Sequence, residues 1–204
     1  MTRIATPSAR GYRSELREAQ AEETRARILD ATVRVMSTGL AGLSVPAVAR
    51  EGGVSVPTVY RHFRTKRDLL AAVYPHLARR LGLDTIADPR SLDDLRPLIR
   101  AMVERLDALD DLSRAAMASP GASEVRHATM PARFERISGL ADSIEPKLRK
   151  ADRDRITRLL VVLTASASLR MWRDHLGLSA DEVAEEVDWV VRAAISAAHE
   201  RNGR

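Results

Sequence analysis

Within one short stretch the chain reads Ser55-Val-Pro-Thr-Val-Tyr-Arg-His-Phe63, bringing hydroxyl, phenol, guanidinium and imidazole groups together. Groups of this kind donate to phosphate oxygens and to base edges, so the chemistry they offer is recognition of a nucleic acid. A second cluster, Arg173-Asp174-His175, sets a carboxylate beside an imidazole. Adjacent residues on a helix point about 100° apart, however, and no serine elbow, phosphate-binding glycine loop or His-x-x-x-His pair accompanies them. Catalysis is therefore not expected, and no catalytic residue, metal ligand or cofactor is assigned. The 204-residue chain has no cysteine, which removes disulfides, thiolate zinc sites and cysteine nucleophiles together.

The groups around Ser55 need a scaffold, and the flanking residues supply one. From Glu22 a helical period begins, with Ile28, Ala31 and Val35 beside Leu29, Val33 and Met36, and Gly39 placed as a C-cap. Ser44 can cap a short second helix with Pro46 in its first turn and Val45, Val48 and Ala49 on its apolar face. Gly52 and Gly53 end that helix. Ser55 then caps a third, again with a proline, Pro57, in its first turn, and Val54 and Val59 are expected to pack inward. Short helix, glycine turn, short helix is the outline of a helix-turn-helix. The first turns of its second helix would meet base edges. That places Val56, Pro57 and Thr58 at bases and Tyr60 and His62 at phosphates, with Ser44 and Ser55 at the helix starts. Arg50, Arg61, Arg64 and Arg67 are further candidates for phosphate contacts.

Charge distribution agrees with this reading. Residues 1–80 carry 14 Lys+Arg against 7 Asp+Glu, a balance of +7, whereas residues 81–204 carry 19 against 21, a balance of −2. A basic segment joined to a near-neutral one fits an electrostatic nucleic-acid module attached to a second functional body. Only 3% of residues are aromatic, and Ala, Leu, Val and Arg dominate, so an all-α fold is expected. No apolar run reaches the roughly 18 to 20 residues of a membrane span, and no apolar stretch follows the first basic residues as in a secretory signal. The expected location is the cytoplasm, with no membrane partner. No internal repeat or low-complexity tract is present.

The remaining helices can be placed by their periods. Thr65-Lys66-Arg67-Asp68 opens a fourth, carrying Leu69, Leu70, Val73 and Leu77, which Pro75 should kink or shorten. A capping box at Ser91–Asp94 precedes a helix through Leu95, Ile99, Met102, Val103 and Leu106, and Ser119 to Ala122 break the next run around Leu112 to Met117. A further helix is expected to start after Pro131, through Phe134, Ile137, Leu140 and Ile144, and to finish near Pro146. A long one then runs from Asp152 or Asp154 to Gly177, and the last starts at the Ser179–Glu182 capping box. The domain reading is a flexible basic arm over 1–18 that turns helical near Ser14, a helix-turn-helix domain over 19–66, a connecting helix over 67–82 and a larger helical domain over 83–204.

Taken together, Thr24-Arg-Ala-Arg-Ile-Leu-Asp-Ala31, Gly42-Leu-Ser-Val45, Val48-Ala-Arg-Glu-Gly-Gly-Val-Ser55 and Pro57-Thr-Val-Tyr-Arg-His-Phe63, followed by Lys66 and Leu69-Leu70, resemble the TetR family of transcriptional regulators. The match covers residues 20–75. The resemblance implies a three-helix DNA-binding domain joined through a fourth helix to a helical ligand-binding and dimerisation domain. It further implies a homodimer on a palindromic double-stranded operator, most often as a repressor, released when a small-molecule effector of unknown identity moves the two reading heads out of register. Tyr60, His62 and Lys66 match the family's backbone clamps. Pro46 and Val56 depart from residues that many relatives use for base contacts, so direct readout is sparse. The arginines of the arm are then expected to add DNA contacts, in the minor groove beside each half-site.

For the second domain, Met102, Met117, Met130, Phe134, Met171 and Trp172 are candidate pocket residues, with His127 as a polar contact, because methionines and scattered aromatics line adaptable cavities. Core packing is the competing reading for the methionines and aromatics, and an exposed loop position is the competing reading for His127. The stripes Ile156, Leu160 and Leu163 and Val183, Val187, Val190 and Ala194 are candidates for the dimer interface. A co-regulator whose second domain binds a protein, and a small helical enzyme, are the alternatives.

Overall fold

A computed structural model describes residues 9–39 and 43–202, with side chains from Glu15 onward. Residues 1–8 of the expected arm, and Gly42 of the quoted motif, lie outside the described residues. All regular structure among those described is helical. The order is α1 (Ala9–Ser37), α2 (Val45–Glu51), α3 (Val56–His62), α4 (Lys66–Arg80), α5 (Leu95–Asp107), α6 (Asp111–Ala118), α7 (Gly121–Ile144), α8 (Lys150–Leu163), α9 (Ser166–Arg170) and α10 (Ala180–Asn202).

Two apolar cores organise these helices. The first gathers Ile28, Leu29, Val33, Val48, Val59, Leu69 and Val73 of α1 to α4. Ala116 of α6 and Ala122 and Val125 of α7 also belong to it, so the packing boundary does not follow the chain boundary expected at residue 83. The second core joins Leu95, Ile99 and Val103 of α5 to Ile137, Ala141, Ile156, Leu160 and Leu169, and to Val183, Val187, Val191 and Ile195 of α10. Helix α7 therefore has one end in each core.

Four local expectations change. Helix α1 starts at Ala9, well before Glu22, so the part of the arm from Ala9 onward continues the helix as an overhang whose residues 15–23 are all exposed. Helix α4 is not shortened at Pro75 but continues to Arg80, with Leu69, Leu70, Val73, His76 and Leu77 burying its inner face while the proline is exposed. Helix α7 likewise does not start after Pro131 but passes through it. Proline lacks the N–H needed for its helical bond, and burial at both ends of α7 offsets that loss. Finally, the helix expected to reach Gly177 stops at Leu163. There the Thr164 hydroxyl turns back to the Leu160 carbonyl at 2.7 Å and accepts from Arg133 of α7 at 2.8 Å. Beyond α9, a wide turn of π type covers Met171–His175 before Gly177, at φ +70, closes the segment.

Thr65 opens α4 as expected, and it does so through a capping box in which Thr65 and Asp68 exchange bonds. The two capping boxes read from the sequence are also present. Ser179 and Glu182 exchange bonds before α10. Ser91 and Asp94 cap a short 3-10 turn that leads into α5.

Candidate nucleic-acid interface

Helices α2 and α3 are too short to be stable alone. Each is held by a serine cap: Ser44 Oγ accepts from the Ala47 N–H at 3.3 Å, and Ser55 Oγ from the Thr58 N–H at 3.2 Å. Between them Gly53 takes φ +60. A Cβ at Gly52 would lie 3.2 Å from the Val48 carbonyl oxygen and 3.3 Å from Ala31 Cβ, so a side chain there would press the end of α2 away from α1 by a few tenths of an ångström.

The inward side of α3 is Val59 with Phe63 just beyond, and both are buried. Val56 is half-buried against the same core, which leaves less of it for the base contact expected from its position in the first turn. Pro57, Tyr60 and Arg61 recur at steps of three and four on the outward side, with Tyr60 46% exposed. Thr58 is half-buried, and its Oγ1 lies 2.8 Å from Ser55 Oγ. Arg50, Arg64 and Arg67 are exposed on the same module.

Arg25 of α1 is the residue that sequence reasoning passed over. It is half-buried, its guanidinium lies 4.4 Å from the Phe63 ring centroid, and its Nη1 donates to the His62 carbonyl at 3.3 Å. A cation at the C-terminus of α3 complements the helix dipole and ties the reading helix to α1. The available signal was the Thr24-Arg-Ala-Arg run, which reads locally as part of a helix face. His62 feels this environment. Partial burial, then Arg61, then Arg25 push its pKa below 6.5, while Glu22 pulls the other way. In the free chain this environment favours the neutral imidazole.

Lys66 is not open to solvent alone: its Nζ lies 2.6 Å from Glu124 Oε2 on α7. Farther along α4, His76 Nε2 lies 2.8 Å from Asp30 Oδ1 of α1. Arg80 reaches both Asp30, at 3.2 Å, and Asp110 at the start of α6, at 3.4 Å.

From α5 to the wide turn beyond α9, the pocket candidates are scattered. Met102, Met117 and Trp172 pack as half-buried residues against the second core, and Phe134 is also half-buried. Met130, Met171 and His127 are exposed, His127 on the surface of α7 rather than in a loop. Two adjoining shallow clefts, of about 360 and 550 Å3, lie along residues 86–98 and across Arg136, Gly139, Leu140 and Ser143 of α7. None of the seven candidates lines either cleft. Thr157, fully buried on α8, has a hydroxyl without a hydrogen-bond partner, and so does the buried Nε of Arg170. Arg173 does not engage Asp174 or His175; it pairs with Asp107 at 2.7 Å and donates to the Leu178 carbonyl.

The expected dimer residues divide by burial. Ile156, Leu160, Val183 and Val187 lie inside the chain's own second core, at 4% exposure or less, so their side chains are not available to a partner. Leu163, Val190 and Ala194 are half-buried. The exposed large apolar side chains on α8 and α10 are Val162 and Trp189, at 60% and 66%.

A serine-capped helix pair presenting a basic, outward-facing second helix defines a helix-turn-helix DNA-binding domain. Comparison with known proteins assigns it: the model for bacterial regulatory proteins of the tetR family matches residues 28–73, and this chain carries the DNA-binding domain of the TetR family of transcriptional regulators. The HTH-type transcriptional regulator SrpR of Pseudomonas putida is 39% identical over 71 residues, which are 34% of this chain and 33% of SrpR. The chain thus aligns with about a third of that relative's length. Among solved structures, native NalD, the secondary repressor of the MexAB-OprM multidrug efflux pump in Pseudomonas aeruginosa, is similar at a TM-score of 0.54 and 22% identity. That likeness covers 86% of this chain and 96% of NalD. The multidrug binding protein EbrR, complexed with imidazole, is similar at 0.53 and 22%, over 83% and 93%. These two likenesses establish the shared all-helical fold.

Proposed function

We propose that the chain is a ligand-responsive transcriptional repressor that binds a palindromic operator as a homodimer in the cytoplasm. The observation that carries this reading is the outward face of α3, where Pro57, Tyr60 and Arg61 stand clear of the core on a helix fixed at both ends by Ser55 and Arg25. Thr58 reads a base edge, Tyr60 and His62 donate to the phosphate backbone, and Lys66 supplies a full charge to it. The helical overhang of α1 adds basic contacts flanking each half-site, with Arg17 among its exposed residues.

Dimerisation uses the outer faces of α8 and α10, around Val162 and Trp189 with Leu163, Val190 and Ala194 at the margin. Exposed large apolar side chains of this kind mark interaction surfaces. The second domain receives a small-molecule effector, and the unpartnered Thr157 hydroxyl and Arg170 Nε support polar recognition inside it, since buried polar groups are normally satisfied. Effector binding reaches the head through α4, whose His76 and Arg80 are tied to Asp30 of α1.

The test is selection of bound duplexes from a random library, followed by sedimentation of the complex. Palindromic sites with half-sites about 34 to 36 Å apart, bound by two chains, are expected. Recovery of no preferred sequence would overturn the reading.

A further inference from the structure

Lys66 and Glu124 are 58 residues apart in the chain, yet they form a 2.6 Å ion pair between the head and α7. Lys66 occupies the first turn of α4, where a helix disfavours a cation, so local helix electrostatics do not explain its position. Glu124 occupies the first turn of α7, where a carboxylate is favoured. That turn is fixed in place by packing. Ala122 and Val125 are buried in the head core, and a Cβ on Gly121 would lie 3.2 Å from Met36 Cγ, so the first turn of α7 is held close to Met36 of α1. The far half of the same helix, at Ile137 and Ala141, is buried in the second core. The carboxylate facing Lys66 is thus mounted on a helix that both cores hold.

We propose that Glu124 is an intramolecular competitor for the phosphate at Lys66, an autoinhibitory contact through which α7 sets the DNA affinity of the head. The inference rests on the reading of Lys66 as a phosphate clamp. A carboxylate at this distance neutralises the ammonium group, and DNA must displace it before the phosphate can be bound. Because both side chains are about two-fifths exposed, water screens the pair and the competition is graded. Any rearrangement of the second core that shifts α7 changes how firmly Lys66 is held. This gives the second domain a route to the DNA surface separate from α4.

A double-substitution cycle tests this, with Lys66→Gln, Glu124→Gln and the combined variant bound to a random-sequence duplex across a range of salt. Lys66→Gln should weaken binding and lower the log–log salt slope by about 0.9. Glu124→Gln should tighten binding roughly two- to fivefold, the scale of an exposed ion pair, and this gain should vanish in the Lys66→Gln background. No gain from Glu124→Gln, or the same gain with and without Lys66, would overturn the proposal while leaving the clamp intact. An unchanged slope in Lys66→Gln would instead refute the clamp itself, and the competition with it.

Discussion

The guanidinium of Arg25 lies over the ring of Phe63, 4.4 Å from its centroid, and donates to the carbonyl of His62. One side chain of α1 thereby fixes the exit of the reading helix, the end that Ser55 does not control. Orientation of α3 is what converts a list of polar residues into a surface that fits a groove, so both ends of the helix matter to binding.

Arg25→Met retains much of the stem while removing the charge and the donor. We expect a loss of about 1 to 2 kcal/mol of stability from the cation–π contact and the helix C-terminal bond together. Urea unfolding measures this. A larger proportional loss in operator affinity than in Arg27→Met, an exposed neighbour on α1, would mark the effect as one on α3.

His62 should make DNA binding depend on pH. Its pKa in the free chain lies below 6.5, chiefly through burial and then through Arg61 and Arg25. A phosphate alongside favours the imidazolium, so the pKa rises on binding and a proton is taken up between the two values. Affinity should therefore increase as pH falls from about 7.5 to 6, and titrations with His62→Gln should show a flatter dependence. Equal dependence in both proteins would place His62 away from the backbone.

Ser55 and Thr58 should separate stability from readout. Ser55→Ala removes the cap and is expected to cost about 1 kcal/mol in thermal or urea unfolding. Thr58→Val keeps the shape but removes the hydroxyl that lies 2.8 Å from Ser55 Oγ. Its expected signature is an altered base preference at one or two positions of selected sites, with little change in binding to random duplex.

Dimer and core residues on α10 should behave oppositely. Val187 is fully buried, so Val187→Glu places an unpaired charge in the second core and should unfold the chain, with helix content lost in circular dichroism. Trp189 is 66% exposed, and Trp189→Glu should leave a folded monomer in sedimentation. A dimer that survives Trp189→Glu together with Val162→Glu would move the interface elsewhere.

The reading head was legible in the sequence because its signals are local. A serine before a short apolar turn, a proline in the first turn and paired glycines each act within a few residues, so Ser44, Gly53, Ser55 and Thr65 could be placed correctly from neighbours alone. The capping box at Ser179 and the inward face at Val45, Val48 and Val59 were legible for the same reason.

Other features depended on what packs against them. A helical period reveals apolar stripes on α8 and α10 but not which stripe the chain keeps for itself, and burial against α5 took Val183 and Val187 while leaving Trp189 outside. Pro131 looked like a boundary because the penalty it imposes is local, whereas the anchoring of α7 in two cores is not. Arg25 over Phe63 and Glu124 against Lys66 join positions far apart along the chain. Each short-range bond there costs and gains too little to leave a trace in nearby residues, so only the folded arrangement of α1, α3, α4 and α7 decided that they meet.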